Sequence, residues 1–230
     1  MTSFIFFDIG ATLVEGPSQT PARQFAARFG WSDSHRKKID RYLLTHEVAS
    51  PEALAHLLIS DYDVCFADAQ SAAEDVWATQ NYGAQAIAGA SDLLAELRRQ
   101  KIPYGFISNI WFPYAKRFCA LFGDLVSPET CFFSFRQGVA KPDKELYLYA
   151  LNVLERRAGE CVMVGDSYDN DIGPALALGM RAIWVLHRYG KEQAFQRQVM
   201  DGLLPHPDLT VSRIADLSPS LILRTLYERP

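Results

Sequence analysis

Residues 4–14 read FIFFDIGATLV. The run Phe4-Ile5-Phe6-Phe7 is too short for a helix and rich in aromatic and branched side chains, the signature of a strand buried on both faces. It delivers one acidic residue, Asp8, and then turns through Gly10 toward Thr12. A carboxylate at the carboxyl end of such a strand lies where open α/β sheets place their active sites. Strand-closing Asp residues are also common turn formers. What decides between the two is whatever the rest of the chain brings to the same edge.

Four more buried-strand candidates follow, at 102–107, 131–135, 161–164 and 181–186, with a short extended piece at 209–211. Helical patterns separate them, at 93–100, 114–122, 144–156 and about 171–178, and an amphipathic helix closes the chain. Strands alternating with helices of this size imply a parallel sheet with right-handed crossovers. Residues 15–88 break the alternation. Ala22, Phe25, Ala26 and Phe29 have the spacing of one apolar helix face, and Ser50-Pro51 reads as an N-cap followed by proline at the first helical position. The expectation is an α/β core formed by 1–14 and 89–230, carrying an all-helical insertion at 15–88.

Composition narrows the function classes. With 49% hydrophobic and 22% charged residues, the chain resembles an ordinary soluble globular protein. No segment reaches the roughly 20 apolar residues of a membrane helix, and the first residues lack the pattern of a secretory leader, so a cytoplasmic location is expected. Lys plus Arg number 23 against 27 Asp plus Glu, without a basic run, so nucleic acid is not an expected partner. The four cysteines are scattered without a C-x-x-C pair and read as buried free thiols.

Parallel strands bring their carboxyl ends to one edge, so Asp8, Ser108-Asn109 and Asp166 should converge, with Lys141 entering at a nearby helix start. The set contains a carboxylate nucleophile, a hydroxyl donor, a cation, and acidic residues at 166 and 171 able to hold a divalent metal through oxygen. Phosphoryl transfer needs such parts, because charge on the equatorial oxygens must be neutralised. Magnesium suits all-oxygen ligands better than zinc.

In order and spacing, FFDIGATL, FISN, GVAKPDKELY and VGDSYDNDIGPALALGM resemble the four motifs of the haloacid dehalogenase (HAD) superfamily of Asp-nucleophile phosphohydrolases, from Phe4 to about Ile183. The helical insertion between the first two motifs resembles that family's C1-type cap. The resemblance implies a Rossmann-like core in which Asp8 attacks phosphorus and becomes an aspartyl phosphate. It also implies that Asp8, the Gly10 carbonyl, Asp166 and Asp171 hold Mg²⁺. Ser108 and Lys141 would contact the phosphoryl group with Asn109 adjacent, and Thr12 would brace the loop. The expected partner is a small phosphorylated molecule.

One position departs from the family pattern, DxDxT. Its second Asp, the general acid, is Gly10 here. General acid–base assistance is worth about 10²–10⁴ in rate, so alkyl phosphates should suffer most from its loss. Two alternatives follow. A phosphonate-cleaving branch would need a cap lysine facing the site, with Lys37 and Lys38 as candidates; a phosphate-binding or regulatory protein would keep the fold with little turnover. His46 and His56 are the insertion histidines able in principle to supply the acid, though a surface or interface role is the default. Tyr168 reads as a rim or exposed residue, Asn170 as a metal-shell neighbour or N-cap, and Trp111 and Phe112 as entrance or packing residues.

Overall fold

A computed structural model describes residues 3–227. Strand β1 (Phe4–Phe7) is buried along its whole length. Because side chains alternate across a strand, Phe4 and Phe6 enter one core layer while Ile5 and Phe7 enter the other. This two-sided burial requires helices on both faces of the sheet.

Five strands join β1 in one parallel sheet. They are β4 (Tyr104–Ser108), β5 (Cys131–Phe133), β6 (Cys161–Gly165), β7 (Arg181–Val185) and β8 (Leu209–Val211). The order is β5-β4-β1-β6-β7-β8, with all pairings parallel. Counted along the sheet alone, this is the doubly wound order 3-2-1-4-5-6 of Rossmann-like α/β proteins. The connections run away in opposite directions from β1 and β6, so a crevice opens at their carboxyl ends. Register brings Phe7 beside both Phe106 and Val164, so the loops after β1, β4 and β6 emerge side by side.

One face of the sheet is covered by α5 (Ala90–Arg99), α6 (Phe112–Phe122) and α11 (Pro219–Tyr227), through Leu93, Leu94, Leu97, Phe118 and Ile222. The other is covered by α8 (Lys144–Val153), α9 (Gly173–Ala177) and α10 (Tyr189–Met200), through Leu146, Tyr147, Ala175 and Val199.

Between β1 and α5 the chain forms four helices, α1 (Pro21–Phe29), α2 (Asp33–Thr45), α3 (Pro51–Tyr62) and α4 (Phe66–Tyr82). Thr20, Ser32 and Ser50 cap the first three by accepting a main-chain N–H. These helices bury a separate cluster that includes Phe25, Ile39, Leu43, Leu54, Leu58 and Val76. The chain enters and leaves this unit through a two-stranded antiparallel ribbon, β2 (Val14–Glu15) with β3 (Gln85–Ala86). No described helix is long and apolar enough to cross a membrane.

Several local expectations change. The third strand stops at Phe133 because Ser134–Gln137 wind into a short helix, α7, in which the Ser134 hydroxyl bonds both the N–H and the carbonyl of Ile110. Helix α10, without a clear apolar stripe in the sequence, covers the sheet beyond β7. Tyr168 is consequently buried, not a rim residue: its ring packs on Trp184 and Phe195, and its hydroxyl donates to the Pro205 carbonyl at 2.7 Å. Of the cysteines, Cys131 and Cys161 are buried as expected, whereas Cys65 and Cys119 are exposed; all four are free thiols.

Candidate active site

Asp8 leaves β1 buried, its main-chain N–H still bonded to Val164 of the neighbouring strand at 2.9 Å. The chain then turns sharply, with the Ile9 carbonyl accepting from Leu13 and Val14, both at 2.9 Å. The left-handed residue of this turn is Ala11, at φ 58°, and not Gly10. Such a conformation costs a residue with a side chain on the order of 1–2 kcal/mol and is held by its surroundings. Gly10 therefore has no backbone reason to be glycine. A Cβ built there meets nothing within 4 Å, because the position opens into a cavity.

Lys141 organises the centre. Its buried ammonium donates to Asp8 Oδ1 at 2.7 Å, to Asp171 Oδ1 at 2.6 Å and to the Ile107 carbonyl at 2.9 Å, which uses all its protons. Burial works against its charge, but Asp171 and Asp8 outweigh it and hold the lysine pKa above the ordinary value. Ser108, at the end of β4, adds a hydroxyl on the same Asp8 Oδ1 at 3.0 Å. Asp8 Oδ2 is left without a hydrogen-bond partner among the described residues.

Asn109, expected beside the phosphate, uses its side chain otherwise. Its Oδ1 accepts from the Lys141 N–H at 2.7 Å and its Nδ2 donates to the Lys141 carbonyl at 2.8 Å. The hydroxyl of Thr12, the residue expected to brace the loop after β1, is buried without a hydrogen-bond partner among the described residues.

Beyond β6 the backbone forms one wide turn, Tyr168–Ile172, with the Gly173 N–H closing onto the Tyr168 carbonyl five residues back, before α9 begins. Wide turns of this kind are frequent at functional sites. Ser167 caps the turn, accepting from the Asn170 N–H at 3.4 Å and its side-chain Nδ2 at 3.2 Å, so Asn170 is not itself the cap. The turn places Asp171 against β6, where its Oδ2 accepts from the Ser167 N–H at 3.0 Å. Gly165 makes this possible: a Cβ there would lie 2.5 Å from the Cβ, Cγ and Oδ2 of Asp171.

Asp8, Asp166 and Asp171 each offer a carboxylate oxygen within 4.8 Å of the others. Burial, then the charge of Asp8, pushes Asp166 up to about 6 against the pull of Arg188. Burial pushes Asp171 up as well, with Lys141 pulling it down and Asp8 and Asp166 adding to the rise. Three carboxylates face two cations, Lys141 and Arg188, so the cluster carries surplus negative charge. An oxygen-only set with that surplus, in a space kept open by a glycine, fits a hard divalent cation.

Arg188 belongs to none of the four sequence motifs. Its Nε and Nη2 donate to Asp166 Oδ2 at 2.8 and 2.5 Å. It follows the carboxyl end of β7 by three residues, so the strand-end logic applied to the other segments pointed to it. The remaining walls of the cavity, about 390 Å³, include Glu15, Asp40, Leu43, Leu44, Gln80, Trp111, Tyr114 and Lys191. Trp111 thus lines the site and also packs in the core of the inserted helices. Phe112 only packs, against Phe135 and Trp77. His46 stacks on Tyr42, and His56 lines a separate groove. Lys37 and Lys38 are not among the lining residues, and the Lys38 ammonium lies over the Tyr62 ring.

Comparison with known proteins agrees with this architecture. Residues 3–179 match a family model described as haloacid dehalogenase-like hydrolase. Hexitol phosphatase A of Escherichia coli (strain K12) is 27% identical over 162 residues, covering 70% of this chain and 73% of that one. The crystal structure of 2-haloacid dehalogenase from Pseudomonas syringae pv. Tomato DC3000 superposes with a TM-score of 0.63 at 22% identity, covering 97% of this chain and 99% of that one. A HAD family enzyme from Bacteroides thetaiotaomicron, solved in complex with magnesium and inorganic phosphate, gives 0.60 at 18% identity, covering 80% of this chain and 94% of that one.

Proposed function

Since the chain belongs to the haloacid dehalogenase-like hydrolases, we propose that it is a Mg²⁺-dependent phosphohydrolase acting on a small phosphorylated metabolite in the cytoplasm. The observation that carries this reading is the Lys141 ammonium held between Asp8 at 2.7 Å and Asp171 at 2.6 Å. It joins a nucleophile to a cation site, which is what transfer of a phosphoryl dianion requires. Carbon–halogen cleavage has no use for a three-carboxylate cluster, and the cavity walls lack the cap lysine that phosphonate cleavage needs. Hexitol phosphatase A supports the phosphate ester class.

In this reading residues 1–14 and 89–230 are the hydrolase core, and 15–88 are a cap that closes the leaving-group side. Lys141 and Ser108 fix Oδ1 of Asp8, so Oδ2 is the oxygen available to attack phosphorus. The P–O bond to the leaving group breaks as the aspartyl phosphate forms, and water then attacks that phosphorus and restores Asp8. Lys141 and Ser108 neutralise charge on the transferring group, and Asn109 serves phosphate binding by holding Lys141 in place. Asp8, the Gly10 carbonyl, Asp166 and Asp171 would hold Mg²⁺, which when bound supplies further charge neutralisation on the phosphoryl oxygens. The test is phosphate release from acetyl phosphate and p-nitrophenyl phosphate with Mg²⁺ or with chelator. Metal-dependent turnover that Asp8→Asn abolishes is expected; turnover equal in wild type and Asp8→Asn would overturn the reading.

A further inference from the structure

The family pattern leaves one part of the chemistry unassigned, the group that protonates the leaving oxygen where Gly10 has no side chain. We infer that Asp40, on the inserted helix α2, is the proton donor to the leaving group. This rests on the phosphohydrolase reading and extends it.

Asp8 and Gly10 lie in the wall of the same cavity as Asp40, Leu43 and Leu44. The last three are spaced i, i+3 and i+4, so α2 turns one continuous face to the site. Five carboxyl groups line the cavity: Asp8, Glu15, Asp40, Asp166 and Asp171. Asp8, Asp166 and Asp171 form the cation cluster, and Glu15 is taken by the His187 Nε2 at 2.6 Å. Asp40 remains. It is half-buried, and among the described residues it has neither a hydrogen bond nor an ion pair. Burial without a partner shifts a carboxyl group toward its protonated form relative to an exposed one. Burial raises the Asp40 pKa, opposed by the more distant charges of Arg36 and Arg23. Tyr114, also in the wall, already gives its hydroxyl to the Val14 carbonyl at 3.2 Å, and burial lifts its pKa further from neutrality.

The step balances. As Asp8 Oδ2 bonds to phosphorus, the electron pair of the breaking P–O bond stays on the leaving oxygen, which takes the Asp40 proton and departs as an alcohol. The Asp40 carboxylate then accepts a proton from the water that attacks the aspartyl phosphate, yielding inorganic phosphate and the original enzyme. A carboxyl donor of this kind is worth about 10²–10⁴ for a poor leaving group and little for a good one. The leaving-group pocket, with Leu43 and Leu44 beside Asp40 and Gln80 on α4, suits an alkyl phosphate carrying both carbon skeleton and hydroxyl groups.

The test compares wild type and Asp40→Asn, with Mg²⁺, on acetyl phosphate and on the best substrate of an alkyl phosphate panel that includes glycerol 3-phosphate and hexose 6-phosphates. Expected is a loss in kcat/KM, which reports only the steps up to departure of the leaving group, of about 10²-fold or more on the alkyl phosphate and less than about threefold on acetyl phosphate, with an unchanged melting temperature. A similar loss on both substrates, or no loss on the alkyl phosphate, would overturn the assignment, as would a wild type active on acetyl phosphate alone. Failure of wild type to release phosphate from any substrate is a different result, since it removes the phosphohydrolase reading itself.

Discussion

Asn109 grips the main chain of Lys141 from both sides, accepting its N–H at 2.7 Å and donating to its carbonyl at 2.8 Å. The contact joins the loop after β4 to the one before α8, and so sets where the lysine ammonium meets Asp8. The side chain of a residue expected at the phosphate is thus bonded to the lysine's main chain.

Asn109→Ala should therefore lower kcat more than it raises KM. Loss of two partly buried hydrogen bonds should also destabilise the protein by about 1–3 kcal/mol. Kinetics on acetyl phosphate and a denaturant melt read both effects. A rise confined to KM would return the side chain to direct phosphate contact.

Gly165→Ala should disable the cation site without touching a ligand. The added Cβ would lie 2.5 Å from Asp171 atoms, so Asp171 must move. Disturbing the support of a metal ligand typically costs about 10–100-fold in affinity. Titration calorimetry with Mg²⁺ should show a weakening in that range, and unchanged affinity would place the cation elsewhere.

Mg²⁺ binding should strengthen with pH. Burial holds Asp166 at about 6 and likewise raises Asp171 in the folded protein, above the roughly 3.9 of an unfolded Asp. Between those values the folded state holds protons that the unfolded state has released. Their contribution to stability is full below about pH 4 and is lost as pH rises from there through the raised values, about 6 for Asp166. Chelated protein should accordingly lose stability from about pH 4 to about pH 7. Mg²⁺ needs the bare carboxylates, so its added stabilisation should grow over the same interval. Thermal melts with chelator and with Mg²⁺ decide it, and a metal-induced shift equal at both pH values would contradict the assignment of these ligands.

Much of this site was legible because parallel strands oblige distant segments to meet. Asp8, Ser108 and Asp166 each follow an apolar run, and Lys141 and Asp171 lie at the starts of helical patterns. What stayed hidden depends on packing between units. Asp40 sits among Arg36, Lys37, Lys38 and Arg41, a stretch that reads as a solvated helix face, and only the docking of α2 over the sheet edge turns it toward the cavity. Tyr168 read as a rim residue because α10, which buries it, has no clear apolar stripe. Gly10 read as the turn residue, whereas the turn strains Ala11 and leaves Gly10 as open space.

The most direct measurement is of Asp8 itself. Protein mixed with acetyl phosphate and Mg²⁺, quenched in acid during turnover, is digested and its peptides are weighed by mass spectrometry. The account predicts a phosphoryl group on the peptide containing Asp8, removed by hydroxylamine and missing from Asp8→Asn. Turnover that continues with no phosphoryl group on Asp8, or a label retained in Asp8→Asn, would contradict it.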